Sequence, residues 1–326
     1  MHNKCLGVFL VFLTFPFIIL TILNFSFFRN FTSSNFYKIV LSQSNAYQET
    51  SNLVQKTYNP SETNILTMLS QSINSGWLKT NTEQNLDGLF SFLNGQTPQA
   101  NLSIDLTSLK NNLKPTTDAP EEVIAIIPNQ LTIDSYKTFL TNLEQVIKKQ
   151  SAGDAISSQL AGQDIANVQN QLQNANNISG QYQNNLNNIK RGFMLSKIFG
   201  YVILGLTLLM LLFIALAARR DVAGIFRWIG NALVYPGAVM SAFFYILSKG
   251  KPTCIKVISS LNTSLEVKNT LEGVAGSAIQ KISHDGMIIA FSVFGAGILL
   301  IIISYFISGF RKKTPPLAQQ PVPVVK

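Results

Sequence analysis

Residues 198–220 read IFGYVILGLTLLMLLFIALAARR. The first 21 of these carry no charge, and two arginines, Arg219 and Arg220, follow at once. A hydrocarbon layer about 30 Å thick takes roughly 20 apolar residues of helix to cross. The run 198–218 is therefore read as a membrane span, and three others match it. Residues 5–28 form an uncharged run of Phe, Leu, Ile and Val. Its apolar core is too long for a cleaved leader, and no small-x-small site follows, so an uncleaved anchor is expected. Residues 287–310 form another span, closed by Arg311, Lys312 and Lys313. Residues 228–247 are the weakest of the four, because they include Asn231, Pro236 and Gly237. Such residues are tolerated where neighbouring helices satisfy the loosened backbone. The alternative for this run is a re-entrant or interfacial segment.

The composition agrees. Only 13% of the chain is charged, against about a quarter in soluble domains. The net charge of +9 does not point to nucleic acid, which needs clustered Lys and Arg on a folded surface. From Arg29 to Arg191 there are 11 basic and 12 acidic residues, and the excess lies beside the spans. Basic residues there set orientation, with the richer flanks on the cytoplasmic side. The loop 219–227, with Arg219, Arg220 and Arg227, and the tail 311–326 are placed inside. Four crossings then put the N-terminal residues 1–4 inside, and segments 29–192 and 248–286 outside. The second outer loop carries five lysines against three acids, which pulls the other way. The expected location is the plasma membrane, with the bilayer as the first partner. Cys5 and Cys254 fall on opposite faces, too far apart for a disulfide, and are expected as unpaired thiols.

The segment 29–192 reads as a mainly helical extracytoplasmic domain. Phe36 to Tyr58 lacks Gly and Pro and predicts one helix ending at Asn59-Pro60. A second starts near Ser61 and carries Ile65, Leu66, Leu69 and Ile73 to a stop at Gly76. A third carries Thr82, Leu86, Leu89, Phe90 and Leu93, and Asn94-Gly95 supplies a left-handed stop. A fourth, Ser135 to Gln150, sets Tyr136, Phe139, Leu140, Leu143, Val146 and Ile147 at the spacing of one buried face, with Asp134 as its cap. Residues 101–106 alternate polar and apolar, and Val123 to Ile127 is β-branched, so both read as extended without establishing a sheet.

Residues 158–189 are half Asn and Gln, 16 of 32. An apolar stripe persists beneath that bias: Ile165, Val168, Leu172, Ile178, Tyr182, Leu186 and Ile189. Steps of three and four are what a helix seam of coiled-coil type requires. With no Pro before the second span, the stripe predicts one helix over 163–218, on the order of 80 Å long. The alternative is a polar linker, broken at Ser179-Gly180. In 248–286, Ile258, Leu261, Leu265, Leu271, Val274, Ala278 and Ile282 predict one or two short amphipathic helices.

Catalytic machinery is not legible. The segment 29–192 has no histidine and no cysteine, and the chain has no Walker loop, GxGxxG, HExxH or GxSxG. No catalytic, cofactor or metal site is expected, and no cofactor. His284-Asp285 lacks a third group to work with. Asp105 reads as an outward strand residue or a cap for a helix at Thr107.

The chain resembles a family of uncharacterised bacterial membrane proteins. The likeness rests on Phe36-Tyr37, Tyr47, Trp77, Leu93-Asn94-Gly95, Ile104-Asp105-Leu106, Leu109-Lys110 and Phe226-Arg227-Trp228-Ile229-Gly230. That family implies no activity or ligand. The span order is similar to that of permease subunits of the FtsX and MacB type, which place a large outer domain after span one. The expectation is a non-enzymatic envelope protein whose outer domain binds a protein partner or scaffolds an assembly. An alternative is a permease-like subunit that couples outer-domain movement to a cytoplasmic partner through Arg219, Arg220 and Arg227. A membrane enzyme is the third.

Overall fold

The computed structural model describes residues 2–57, 72–113, 124–125, 127–132, 135, 138, 141–142, 155–218, 221–249, 258, 260 and 263–311, with side chains omitted for 2–5, 155–183 and 309–311. The chain divides into two compact units. The first comprises Met1–Asn30, Lys197–Gly250 and Ile279–Lys326, and the second comprises Phe31–Ser196 and Lys251–Ala278. The fold is mostly helical, and four helices are long and apolar enough to cross a membrane. In chain order the elements are α1 (His2–Leu23), a π-helical turn (Asn24–Phe28) and a last turn (Arg29–Phe31), then α2 (Ser34–Gln43) and α3 (Ala46–Thr57). There follow α4 (Ser75–Leu93), β1 (Ile104–Asp105), α5 (Thr107–Asn112), β2 (Gln130–Leu131), α6 (Ala155–Ala217), α7 (Val222–Lys249) and α8 (Leu265–Arg311).

The first unit exposes many large apolar side chains and buries several hydroxyls among apolar ones. Thr14, Ser26, Ser283 and Ser304 are fully buried, while Phe12, Tyr201, Ile246 and Phe306 are each at least 66% exposed. Several buried hydroxyls turn back on their own helices: Thr14 Oγ1 donates to Leu10 O at 2.7 Å and Ser241 Oγ to Gly237 O at 2.8 Å. Between α1 and α6, Thr21 and Thr207 share a hydrogen bond of 2.8 Å. Pro236 leaves α7 unbroken as a 28-residue helix, long and apolar enough to cross a membrane. Helices α7 and α8 touch backbone to backbone. A Cβ on Gly230 would stand 2.8 Å from Gly297 O, and one on Gly237 would stand 2.7 Å from Phe294 N. Small residues allow this approach where lipid supplies no hydrophobic drive between helices. Arg227 lies over the Tyr305 ring, 5.3 Å from its centroid.

The second unit has an ordinary aromatic core. Phe90, Phe92, Leu93 and Leu186 are buried together, with Tyr37, Leu86, Leu89 and Phe193 packed on them. Rings run in series, Tyr37 to Phe90 at 5.2 Å and Phe90 to Phe193 at 6.1 Å, and such pairs add to plain area burial. Charges stay outside, as in the Lys38–Asp87 bridge of 2.6 Å.

Residues 36–58 do not form one helix. Asn45 adopts a left-handed φ of 55° and separates α2 from α3. Asn tolerates that conformation because its short side chain bonds locally, so Ser44-Asn45 acts as a stop inside an otherwise helical composition. Helix α4 starts at Ser75, before the expected stop at Gly76, because Asn74 caps it by accepting from Trp77 N at 2.8 Å. Its end is as expected, with Gly95 at φ 77°. The 101–106 piece is extended at β1, but its antiparallel partner is Gln130–Leu131. Ile124 and Ala125 are helical, which corrects the extended reading there. The helix predicted from Ser61, the stripe from Tyr136 to Ile147, Asp134 and Cys254 lie outside the described residues.

A ladder of polar side chains holds β1 against α4. Trp77 Nε1 donates to Asp105 O, Asn81 Oδ1 accepts from Asp105 N, and Asn85 both accepts from Ser103 N and donates to Ser103 O. These residues sit four apart and so share one helix face. Gly88 continues that face, where a Cβ would meet Asn101 O at 2.7 Å. Each such bond contributes about 1 kcal/mol net, and the ladder leaves the short strand with few unpaired groups.

Helix α6 is continuous for 63 residues through Ser179-Gly180, on the order of 95 Å at 1.5 Å per residue. The Asn- and Gln-rich stretch 158–189 is helical throughout in the structure. Helix α8 is also longer than expected, at 47 residues. From Leu265 onward, the amphipathic segment and the fourth span are one helix.

Tyr47 of α3 is buried, and its hydroxyl makes no hydrogen bond of regular geometry. Burial first, and then the Glu83 carboxylate beside it, push its pKa up to about 12. The folded state therefore favours the neutral phenol. Stability from this site is complete below the ordinary value near 10 and is lost as pH rises towards about 12. Chemical unfolding of the purified protein should show an alkaline loss over that window that Tyr47→Phe reduces. Identical alkaline limbs in the two proteins would exclude Tyr47 as its source.

Candidate functional site

The most structured polar cluster of the first unit lies where α1 ends and α8 carries residues 281–285. Its geometry starts from the spacing along α1. Thr14, Ile18, Ile22, Ser26 and Asn30 follow one another by four residues, and all are buried. An α-helix has 3.6 residues per turn, so every fourth residue drifts by roughly 40°. Sixteen residues of drift would carry Asn30 almost to the opposite face. The π turn over Asn24–Phe28 takes up one extra residue, and that takes back about 100° of the drift.

Side chains reinforce the turn. Ser26 Oγ donates to Ile22 O and Asn30 Nδ2 to Ser26 O, each at 2.7 Å. Asn24 lies over Gly200 of α6, where a Cβ would come 2.6 Å from Asn24 Oδ1. The Asn30 side chain is also a polar neighbour of the Asp285 carboxylate. Lys281 Nζ donates to both Asp285 oxygens, at 2.8 and 2.9 Å. Both partners of that bridge are about three-quarters buried. His284 Nδ1 is 3.5 Å from Asp285 Oδ1, at the edge of a contact, and the His284 side chain is 70% exposed. Ser283 Oγ is fully buried and has no hydrogen-bond partner among the described residues. Phe244, fully buried, closes one side against Phe27 at 6.3 Å and fills the space beside Gly286.

This arrangement neutralises a carboxylate with an ammonium on its own helix. It contains no nucleophile paired with a base. Among the described residues no group of three His, Cys, Asp or Glu stands close enough to hold a metal. A second concavity, a surface groove of about 490 Å³, is lined by Lys110, Ala125, Ile127, Asn129, Ser135 and Asn142, among others. Its ammonium is already committed to Ile127 O at 2.7 Å and Ala125 O at 3.2 Å. Asp105 accepts from Thr107 N at 2.8 Å, and the Thr107 bonds hold its carboxyl below the usual range.

The residues singled out from sequence are distributed as follows. Arg227 stacks on Tyr305, while Arg219 and Arg220 lie outside the described residues. Ile165, Val168, Leu172, Ile178 and Tyr182 are on α6, in the stretch without described side chains. Leu186 is buried in the aromatic core and Phe193 packs on it, but Ile189 is 55% exposed. The cluster at Asn30 and Asp285 was not anticipated. Its one visible signal was the pair Ser26 and Asn30, four apart in an apolar run, and no α-helical wheel puts both on the face of Thr14.

No family model, no curated protein and no solved structure matches this chain.

Proposed function

We propose that this chain is a multi-pass protein of the plasma membrane, with both termini cytoplasmic. Residues 29–192 form an extracytoplasmic unit that binds a protein partner or scaffolds an assembly, without catalysis of its own. The observation that carries the membrane reading is the first unit's exterior, where large apolar side chains face outward on helices long enough to cross a membrane. In water that exterior would be an aggregation surface, whereas in a bilayer it is the ordinary one. The second unit has a small aromatic core and an ion pair at its surface, which is compatible with an aqueous compartment. The binding reading rests on the segment 29–192, which has an aromatic core and a polar ladder but no histidine or cysteine to supply a reaction.

A reporter fused after Lys326 should behave as cytoplasmic, and one inserted at the exposed turn near Gln96 as extracytoplasmic. The reverse at either site would overturn the topology. Cross-linking in cells followed by purification in mild detergent should recover the intact chain with a stoichiometric partner. Recovery of the chain alone would sink the scaffold reading.

A second reading, a subunit that couples movement outside to a partner inside, draws support from α6 and α8. Each is a single helix that contributes residues to both units. An unbroken helix transmits displacement along its axis, and Arg219, Arg220 and Arg227 would form the inner contact. Charge reversal at those arginines should then release a cytoplasmic partner while leaving membrane integration intact. Retention of that partner would remove the coupling reading.

A further inference from the structure

We propose that Arg227, Asn231 and Tyr305 form a headgroup site for a phospholipid, with its phosphate diester on the Arg227 guanidinium. The inference rests on the membrane reading above and assigns one lipid contact within it. Arg227 is exposed, and its guanidinium carbon lies over the Tyr305 ring, 5.3 Å from the centroid. No carboxylate or other acceptor among the described residues is paired with it. Stacking on a ring holds a guanidinium in place and leaves its N–H fork open, so a positioned cation here lacks an anion. Asn231 stands four residues on, a neighbour on the same face of α7 and about 6 Å further along the helix. It is partly buried, and its amide makes no hydrogen bond with a described residue. No charged residue lies between Arg227 and Lys249. The amide is therefore inside the stretch that crosses the hydrocarbon, where an unpaired polar group is costly.

A phospholipid supplies both missing partners in the right order. Its phosphate lies outermost, its ester carbonyls come next, and its acyl chains run into the hydrocarbon. The guanidinium–phosphate contact is bidentate and charge-assisted, and Asn231, one turn deeper, donates at the level of the ester carbonyls. Beyond it the same face continues with the exposed residues Tyr235 and Ala238, against which an acyl chain lies. Aromatic residues mark the level. A Cβ on Gly7 of α1 would come 3.2 Å from the Trp228 ring, and Tyr305 on α8 is 64% exposed. Trp and Tyr collect at the boundary between headgroups and hydrocarbon. An acidic protein segment in water would satisfy Arg227 but would not reach an amide inside the span. A second copy of α7 would pair the two Asn231 amides but would bring two Arg227 cations together. The phospholipid satisfies both groups at once. In the proposed topology it belongs to the cytoplasmic leaflet, whose anionic lipids attract basic side chains. The inner contact of the coupling reading then falls to Arg219 and Arg220.

The test uses the full chain in detergent, stripped of lipid, and native mass spectrometry with added dioleoylphosphatidylglycerol. The unaltered chain should retain a bound lipid. Arg227→Gln should weaken its apparent affinity about tenfold, the loss of one charge-assisted contact, and Asn231→Leu several-fold. Lys249→Gln, exposed at the far end of α7, should leave the affinity unchanged. Dioleoylglycerol has the ester carbonyls and chains without the phosphate, and inorganic phosphate has no chains, so neither should compete. Equal losses in Arg227→Gln and Lys249→Gln would overturn the proposal, because they indicate charge attraction without a site. Competition by dioleoylglycerol or by inorganic phosphate overturns it too, as does an unchanged affinity in Asn231→Leu. A dimer that Asn231→Leu converts to monomer would assign the amide to a second copy and overturn it equally. If Arg227→Gln does not fold, Arg227→Lys replaces it. The charge then remains while the planar fork is lost, and the affinity should fall several-fold; an unchanged affinity counts against the site. Recovery of the chain from cells without detergent would instead sink the membrane reading, and the site with it.

Discussion

Replacing Gly297 by valine is expected to destabilise the four-helix unit by on the order of 3 kcal/mol or more, at the upper end of overpacking costs. A Cβ there would come 2.9 Å from Gly230 O, 2.9 Å from Val234 N and 2.8 Å from Val234 Cγ2. Two of those three atoms are backbone, so no rotamer change relieves the clash and the helices have to separate. Gly230 is the reciprocal case, at 2.8 Å from Gly297 O and 3.1 Å from Ile301 N. Separation exposes no water-averse surface in a bilayer, but it forfeits the close van der Waals contact that holds membrane helices together. Gly205 and Gly295 serve as controls, because a Cβ at either meets nothing within 4 Å. Alanine at those two positions should be neutral, or stabilising by up to about 1 kcal/mol through helix propensity. Thermal unfolding in detergent, with yield of inserted protein, separates the two classes. Gly297→Val with an unchanged melting temperature would show that α7 and α8 do not cross as described.

The second large effect is expected on α6. Leu186→Asn should cost several kcal/mol, within the range of about 2–5 kcal/mol for truncating a buried leucine with an unpaired amide added. Leu186 sits with Phe90, Phe92 and Leu93 at 6% exposure. Ile189→Asn, three residues on, should stay within about 0.5 kcal/mol, as surface changes do, because Ile189 is 55% exposed. Limited proteolysis of the intact protein reads both. Equal sensitivity at the two positions would mean that the whole stripe is buried against a partner face.

That contrast locates the limit of the sequence pattern. Spacing of three and four assigns Leu186 and Ile189 to one seam, because periodicity specifies a face and not what covers it. Only the packing of α4 decides that Leu186 has a neighbour and Ile189 does not. The same limit explains Asn45. Composition alone predicts an unbroken helix over 36–58, and the left-handed residue that splits it is an Asn indistinguishable in sequence from its helical neighbours.

The sequence by itself determined the four apolar helices and the continuity of the long one. Both follow from local quantities: length without charge for the spans, and the absence of Pro for the helix that runs on to Ala217. The end of α4 at Asn94-Gly95 is local too, since it depends on a positive φ at one residue. Tertiary structure alone decided the partner of β1, the glycine contact between α7 and α8, and the polar cluster around Asp285. Strand pairing joins residues 104–105 to 130–131, and nothing in either short run names the other. The glycine contact is a meeting of two backbones, to which no side chain contributes a pattern. The cluster depends on a π turn that shifts Asn30 by one position on the helix. A periodicity counted at 3.6 places Asn30 on the wrong face, and only the packed helices fix where the extra residue is taken up.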